Sequence, residues 1–132
     1  MKLPALFVAL FMLVATSFAQ APGAWTQVAG GAWTPDQVTM SQISTSLQAY
    51  AEAMAKRQGR DLLPWSEYSF QYQGRISKGQ RYIYVLGLCA TVGEPDLRSS
   101  FYEVLDGGSC FFGLTFDPKR RRFEHFRINS VR

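Results

Sequence analysis

Histidine and cysteine are the scarcest reactive residues in this chain, with one His and two Cys among 132 residues. His125 is the lone imidazole, and Cys89 and Cys110 do not form a CxxC pair. A zinc site needs a nearly complete set of nitrogen, sulfur or carboxylate donors, so metal binding fails on ligand count. A nucleophile activated by a neighbouring base is short of partners for the same reason. The one long apolar run, Leu3 to Ala15, is shorter than the roughly 18 residues of a membrane-spanning helix and gives way to Thr16 and Ser17. No membrane span is therefore expected once the leader is gone.

What stands at the start is an export signal. Lys2 supplies the positive charge, Leu3 to Ala15 the greasy stretch, and Ser17-Phe18-Ala19 the small-x-small cleavage pattern. Residues 1–19 read as a signal peptide and 20–132 as a single domain, secreted or periplasmic. No Cys lies at the cleavage point to carry a lipid. That address argues against nicotinamide chemistry, nucleotide turnover and DNA work. In an oxidising compartment Cys89 and Cys110 should pair, and a small domain benefits from such a staple.

The charge is mildly basic. Without Lys2, 13 of the 14 basic residues remain against 10 acidic ones. Much of the excess sits in Lys119-Arg120-Arg121-Arg122. Such a run invites an acidic-polymer or nucleic-acid reading. A solvated hairpin tip that discourages edge-to-edge aggregation needs neither, and nucleic acid is not an expected partner.

Residues Gln20 to Gly31 are small and polar, with Trp25, Val28 and Ala29 suited to a short edge strand or a mobile arm. A helix start follows: Thr34 as N-cap, Pro35 in the first helical position, Asp36 at the positive dipole end and Gln37 completing a capping box. Trp33 and Val38 are spaced as a hydrophobic staple. Met40, Ile43, Leu47, Tyr50, Ala51 and Met54 then recur every three or four residues and draw one apolar stripe. Lys56 and Arg57 suit the last turn, and Gly59 a left-handed stop.

Beyond Pro64 the period becomes two. Tyr68, Phe70, Tyr72 and Ile76 face one way, and Glu67, Ser69, Gln71, Gln73 and Arg75 the other, as in a half-buried strand. Ser77-Lys78-Gly79-Gln80 makes a turn. Arg81 to Val92 is apolar on both faces and reads as a central strand. The stretch 93–109 is long for a connection, and Phe101, Tyr102, Val104 and Leu105 either extend the strands or pack as a lid. Cys110, Phe112, Leu114 and Phe116 alternate in the next strand. Asp117-Pro118 opens a turn, and Phe123 to Ser130 closes the sheet with Phe126 and Ile128 inward. The expected fold is α+β: one long helix on a curved four-stranded antiparallel sheet.

This order of parts resembles the cystatin fold. Gly30-Gly31 precedes the helix, as a Gly does in that family, and the first hairpin, Arg75-Ile76-Ser77-Lys78-Gly79, keeps the Gly of the family's Q-x-V-x-G motif. It departs from the motif in Arg75 and Ser77; Gln27-Val28-Ala29-Gly30-Gly31 nearly fits but lies before the helix. No Pro-Trp stands in the second hairpin, and Pro64-Trp65 begins the first strand instead. The residues argue against an enzyme or a cofactor, and the resemblance implies a binding protein, an inhibitor or immunity-type neutraliser of another secreted protein, though not of papain. It places partner contacts at Gly30, Gly31, Ile76, Ser77, Lys78, Gly79 and the tip Lys119, Arg120, Arg121 and Arg122.

The alternative reading is a basic module that grips an acidic cell-wall or extracellular polysaccharide through Lys119 to Arg122 with Lys78 and Arg81. Other chemistry is weakly signposted. His125 reads as an exposed strand residue, and Glu103 is the one carboxylate set between apolar neighbours. Asp106-Gly107-Gly108 lacks the Lys and the helix of a phosphate loop.

Overall fold

A computed structural model describes residues 23–89 and 96–131. The signal at 1–19 lies outside the described residues. The elements are β1 (Trp25–Gln27), α1 (Gln37–Arg57), β2 (Ser69–Ser77), β3 (Gln80–Leu88), β4 (Phe111–Asp117) and β5 (Arg122–Ile128), with short 3-10 turns at Trp65–Glu67 and Gly108–Cys110.

The sheet corrects the expected four-stranded antiparallel arrangement. It has five strands in the order β1-β2-β3-β4-β5 and is mixed. β1 runs parallel to β2, with Trp25 beside Phe70 and Gln27 beside Tyr72, while the other pairs are antiparallel. The physical reason lies in α1. Parallel neighbours need a long crossover, and this helix supplies it. Backbone bonds from Phe70 N to Ala24 O and from Val28 N to Tyr72 O carry the pairing beyond the strand itself. Trp25 stacks on Phe70 with ring centroids 4.5 Å apart, which anchors so short a strand. The fold class remains α+β with one α-helix among the described residues.

The start of α1 also differs from the sequence reading. Asp36, not Thr34, is the N-cap: its carboxylate accepts from the Thr39 amide at 2.7 Å, and its backbone is extended. That amide bond holds the Asp36 carboxyl below the usual carboxylate range. The Trp33–Val38 staple does not form, for Val38 is 68% exposed. Trp33 instead donates its indole N–H to Arg75 O at 2.9 Å and bridges to Gly74. Gly74 permits this approach, because a Cβ there would stand 2.2 Å from Trp33 O. At the other end Gly59, at φ +68°, ends the helix as expected. Gly59 N donates to Lys56 O and Arg60 N to Ala55 O, the two bonds of a Schellman stop.

Ile43, Leu47, Ala51 and Ala55 form the fully buried stripe of α1. Against it lie Phe70, Ile83, Val85, Phe112, Leu114, Phe116 and Phe126 from the inner face of the sheet. Each such side chain contributes about 1.5–3 kcal/mol by leaving water. Gly87 makes room for the Phe112 ring, whose Cζ would be 2.4 Å from an added Cβ. In β5 the alternation is interrupted: register shifts between Gly113 and Thr115, and His125 takes φ 58°. This bulge lets both Phe123 and Phe126 reach the core.

The outer face of the sheet is not bare. Gln71, which the period-two pattern sends toward solvent, is completely buried. Its amide donates to Leu97 O and Ser100 O and accepts from Tyr102 N, at 2.8, 2.9 and 2.8 Å. The segment 97–105 is thereby strapped across β2 and β3. Phe101 meets Tyr84 edge-on at 4.9 Å and Tyr102 stacks on Phe111 at 6.0 Å, so the lid alternative is the one realised. Cys89 and Cys110 are bonded, with Cα atoms 4.8 Å apart, at the ends of adjoining strands. Among the described residues no helix is long and apolar enough to cross a membrane.

Candidate functional site

Antiparallel register decides where the expected contact residues go. Ser77 pairs with Gln80 at one end of the β2–β3 hairpin, and Asp117 pairs with Arg122 at the tip of β4–β5. Because Ile83 faces Phe116, both tips emerge from the same end of the sheet. Lys78 and Gly79 take φ 51° and 73°, the left-handed pair of a two-residue type I′ turn. In the other tip Asp117 folds the basic run around itself, accepting from the amides of Lys119 at 2.9 Å and Arg120 at 3.2 Å. Arg121 then turns through φ 55°.

The charge there is partly neutralised. Arg120 approaches Asp117 at 3.8 Å and Arg122 approaches Glu124 at 3.4 Å, the arginines well exposed and the carboxylates partly so. Exposed pairs of this kind contribute at most about 1 kcal/mol. Lys78, Lys119 and Arg121 have no carboxylate within ion-pair distance among the described residues. Arg81 lies over the Trp33 ring at 5.1 Å. Ile76, at 49% exposure, is an apolar side chain at the base of the first tip. Between the tips lies a cleft of about 350 Å³, bordered by Ser77, Arg81, Tyr82, Asp117 and Glu124.

Gly30 and Gly31 do not join this end. They lie on the flank of β2, where Gln73 Nε2 donates to Ala29 O at 2.8 Å and Ala32 N donates to Gly74 O at 2.8 Å. The structure thus gathers Ile76 to Gly79 with Lys119 to Arg122 and leaves Gly30-Gly31 beside the strand, before the tip is reached. His125 is exposed, with Nε2 3.6 Å from Glu124 Oε2.

A second cluster escaped the sequence reading. On the outer face Tyr84 leans over Gly113, its hydroxyl 2.9 Å from Glu103 Oε1 and 2.9 Å from Arg127 Nη2. Arg75 lies flat on the Tyr84 ring at 4.4 Å and close to Phe101 at 5.2 Å. Burial, followed by the Glu103 carboxylate, raises the Tyr84 pKa, and Arg127 opposes them. Neither Arg75 nor Glu103 belongs to a local motif; the signal for the cluster is that Arg75, Tyr84 and Arg127 fall on one face of neighbouring strands.

No group of three or more His, Cys, Asp or Glu able to hold a metal occurs among the described residues. Neither a protein-family model, nor a curated protein, nor a solved structure matches the chain.

Proposed function

We propose that this chain is an exported, non-enzymatic binding protein, which neutralises another secreted protein through the end where its two hairpin tips meet. The observation that carries this reading is the convergence of Ile76 to Gly79 and Lys119 to Arg122 on one end of the sheet. Two rigid turns flanking a cleft offer a shaped contact surface, and recognition commonly uses loops held by a stiff scaffold. The Cys89–Cys110 bond is compatible with an oxidising destination. The departures at Arg75 and Ser77 and the missing Pro-Trp argue for a target other than a papain-like protease.

The test is affinity capture from the native culture supernatant or periplasm. The baits are the mature protein and a variant carrying Ile76→Asp, Lys119→Ser and Arg121→Ser. A stoichiometric protein partner that is lost with the variant supports the reading; a partner held equally by both baits, or none, overturns it.

Lys78, Lys119 and Arg121, which have no carboxylate partner among the described residues, favour the second reading, a grip on an acidic polysaccharide. That reading requires binding to polyuronate that collapses between 0.05 and about 0.5 M salt. A salt-indifferent curve rejects it.

A further inference from the structure

The outer face carries a cationic cavity that the hairpin-tip reading does not use. An open hollow of about 320 Å³ lies beside the strap, lined by Arg75, Tyr84, Glu103, Thr115, His125 and Arg127. This is within the size range of small-molecule sites, about 300–1,000 Å³. Surface arginines usually find a carboxylate. Here neither Arg75 nor Arg127 has one within ion-pair distance among the described residues.

Both guanidiniums are nevertheless tethered, although Arg127 is exposed where Arg75 is half-buried. Arg75 is half-buried, stacked on Tyr84 and donating Nε to Gln73 Oε1 at 2.9 Å, and its terminal nitrogens have no hydrogen-bond acceptor among the described residues. Arg127 spends one Nη2 bond on the Tyr84 hydroxyl. Fixing the planar forks in advance removes most of the ordering cost of binding a planar anion. Among the described residues Glu103 is the one carboxylate on the lining, and it accepts from the Tyr84 hydroxyl. Two guanidiniums against one carboxylate leave a single uncompensated positive charge, since His125 turns to Glu124.

The geometry points to a binding site for a small monocarboxylate, carried by an acidic sugar or a peptide C-terminus, between Arg75 and Arg127. A monoanion completes the charge of the cavity, whereas a dianion over-fills it beside Glu103. Bidentate bonding to a guanidinium fork suits a carboxylate in particular.

Titration of the mature protein at pH 8 and low salt, followed by NMR and calorimetry, tests this with glucuronate, N-acetylalanine, glucose, N-acetylalanine amide and sulfate. At least one of the two carboxylates binds, with Kd on the order of millimolar, and whichever does so names the source; glucose and the amide do not bind. Arg127→Gln weakens binding about tenfold or more, the usual effect of losing a charge-assisted hydrogen bond. Arg75→Lys, which keeps the charge and the fold but loses the planar fork, weakens it several-fold, and Lys56→Gln at the far end of the helix does not change it. Sulfate binding tighter than either carboxylate, equal affinity in Arg127→Gln and the parent, or no saturable shift with any carboxylate overturns the proposal.

Discussion

The Gln71 carboxamide accepts the Tyr102 amide at 2.8 Å across 31 positions of sequence, and neither its oxygen nor its nitrogen is left without a partner. This one buried side chain replaces the missing strand partner for three backbone groups of the strap. An apolar residue of similar size at 71 leaves Leu97 O, Ser100 O and Tyr102 N unsatisfied beneath the loop, each costing about 1–3 kcal/mol if it stays buried.

Gln71→Leu is therefore expected to release the strap rather than unfold the sheet. Hydrogen exchange checks this: amides in 97–105 should lose protection while those of β2 to β4 keep theirs. Protection unchanged at Tyr102 would show that aromatic packing alone holds the segment.

Replacing both Cys89 and Cys110 with Ala should lower stability by roughly 3 kcal/mol, the chain-entropy value for a loop of this length. Urea denaturation of the oxidised protein and the double variant measures the difference. Core packing from α1 is unaffected by the change, so the variant should still unfold in one cooperative step.

Acid should weaken the helix start. Asp36 and Asp96 both have carboxyls held below their ordinary range, Asp36 by the Thr39 amide and Asp96 by the Ser99 hydroxyl and then the Arg98 amide. A depressed carboxyl stabilises the fold above its unfolded pKa, about 4, and loses that contribution as pH falls through the folded value. Thermal melts between pH 6 and pH 2 should show a steeper decline for the parent than for Asp36→Ala, which begins less stable. Parallel curves would remove Asp36 from the cause.

Alkali should act through the tyrosines. Burial raises the pKa of Tyr68 and of Tyr84, the latter with help from Glu103. The unfolded chain ionises these phenols near pH 10, so their contribution is complete below that pH and is lost as pH rises through the higher folded values. Spectrophotometric titration should find phenols that ionise late, and Tyr84→Phe should remove one of them while destabilising the protein by about 1–3 kcal/mol, since Glu103 and Arg127 lose a shared partner.

The helix stripe, the disulfide pair and the strands β2 to β5 were legible because their signals are periodic or local. The fifth strand was legible only as an alternative. Three residues cannot display a period of two, and the choice between strand and arm depended on Trp25 finding Phe70. Thr34 and Asp36 are both competent caps, and sequence does not say which one sits where the chain bends; the anchoring of Trp33 to Arg75 and Gly74 moved the start. Gln71 reads as solvent-facing because polar side chains in an alternating strand usually are, whereas its partners are backbone groups more than 25 positions away. The hairpin tips could be placed at one end by strand order. The Arg75–Tyr84–Arg127 cluster was legible only in that its residues share one face, because Tyr84 meets Glu103 and Arg127 through side-chain bonds that span 19 and 43 positions.

The extra residue at His125 also bears on how the molecule lives at high concentration. β5 closes one side of the sheet, and a straight outermost ribbon offers its spare amides to any passing chain. The kink divides that ribbon into two short lengths, neither able to template a long pairing. Straightening it, by deleting His125, should therefore make the molecule more prone to zip into fibres than the parent.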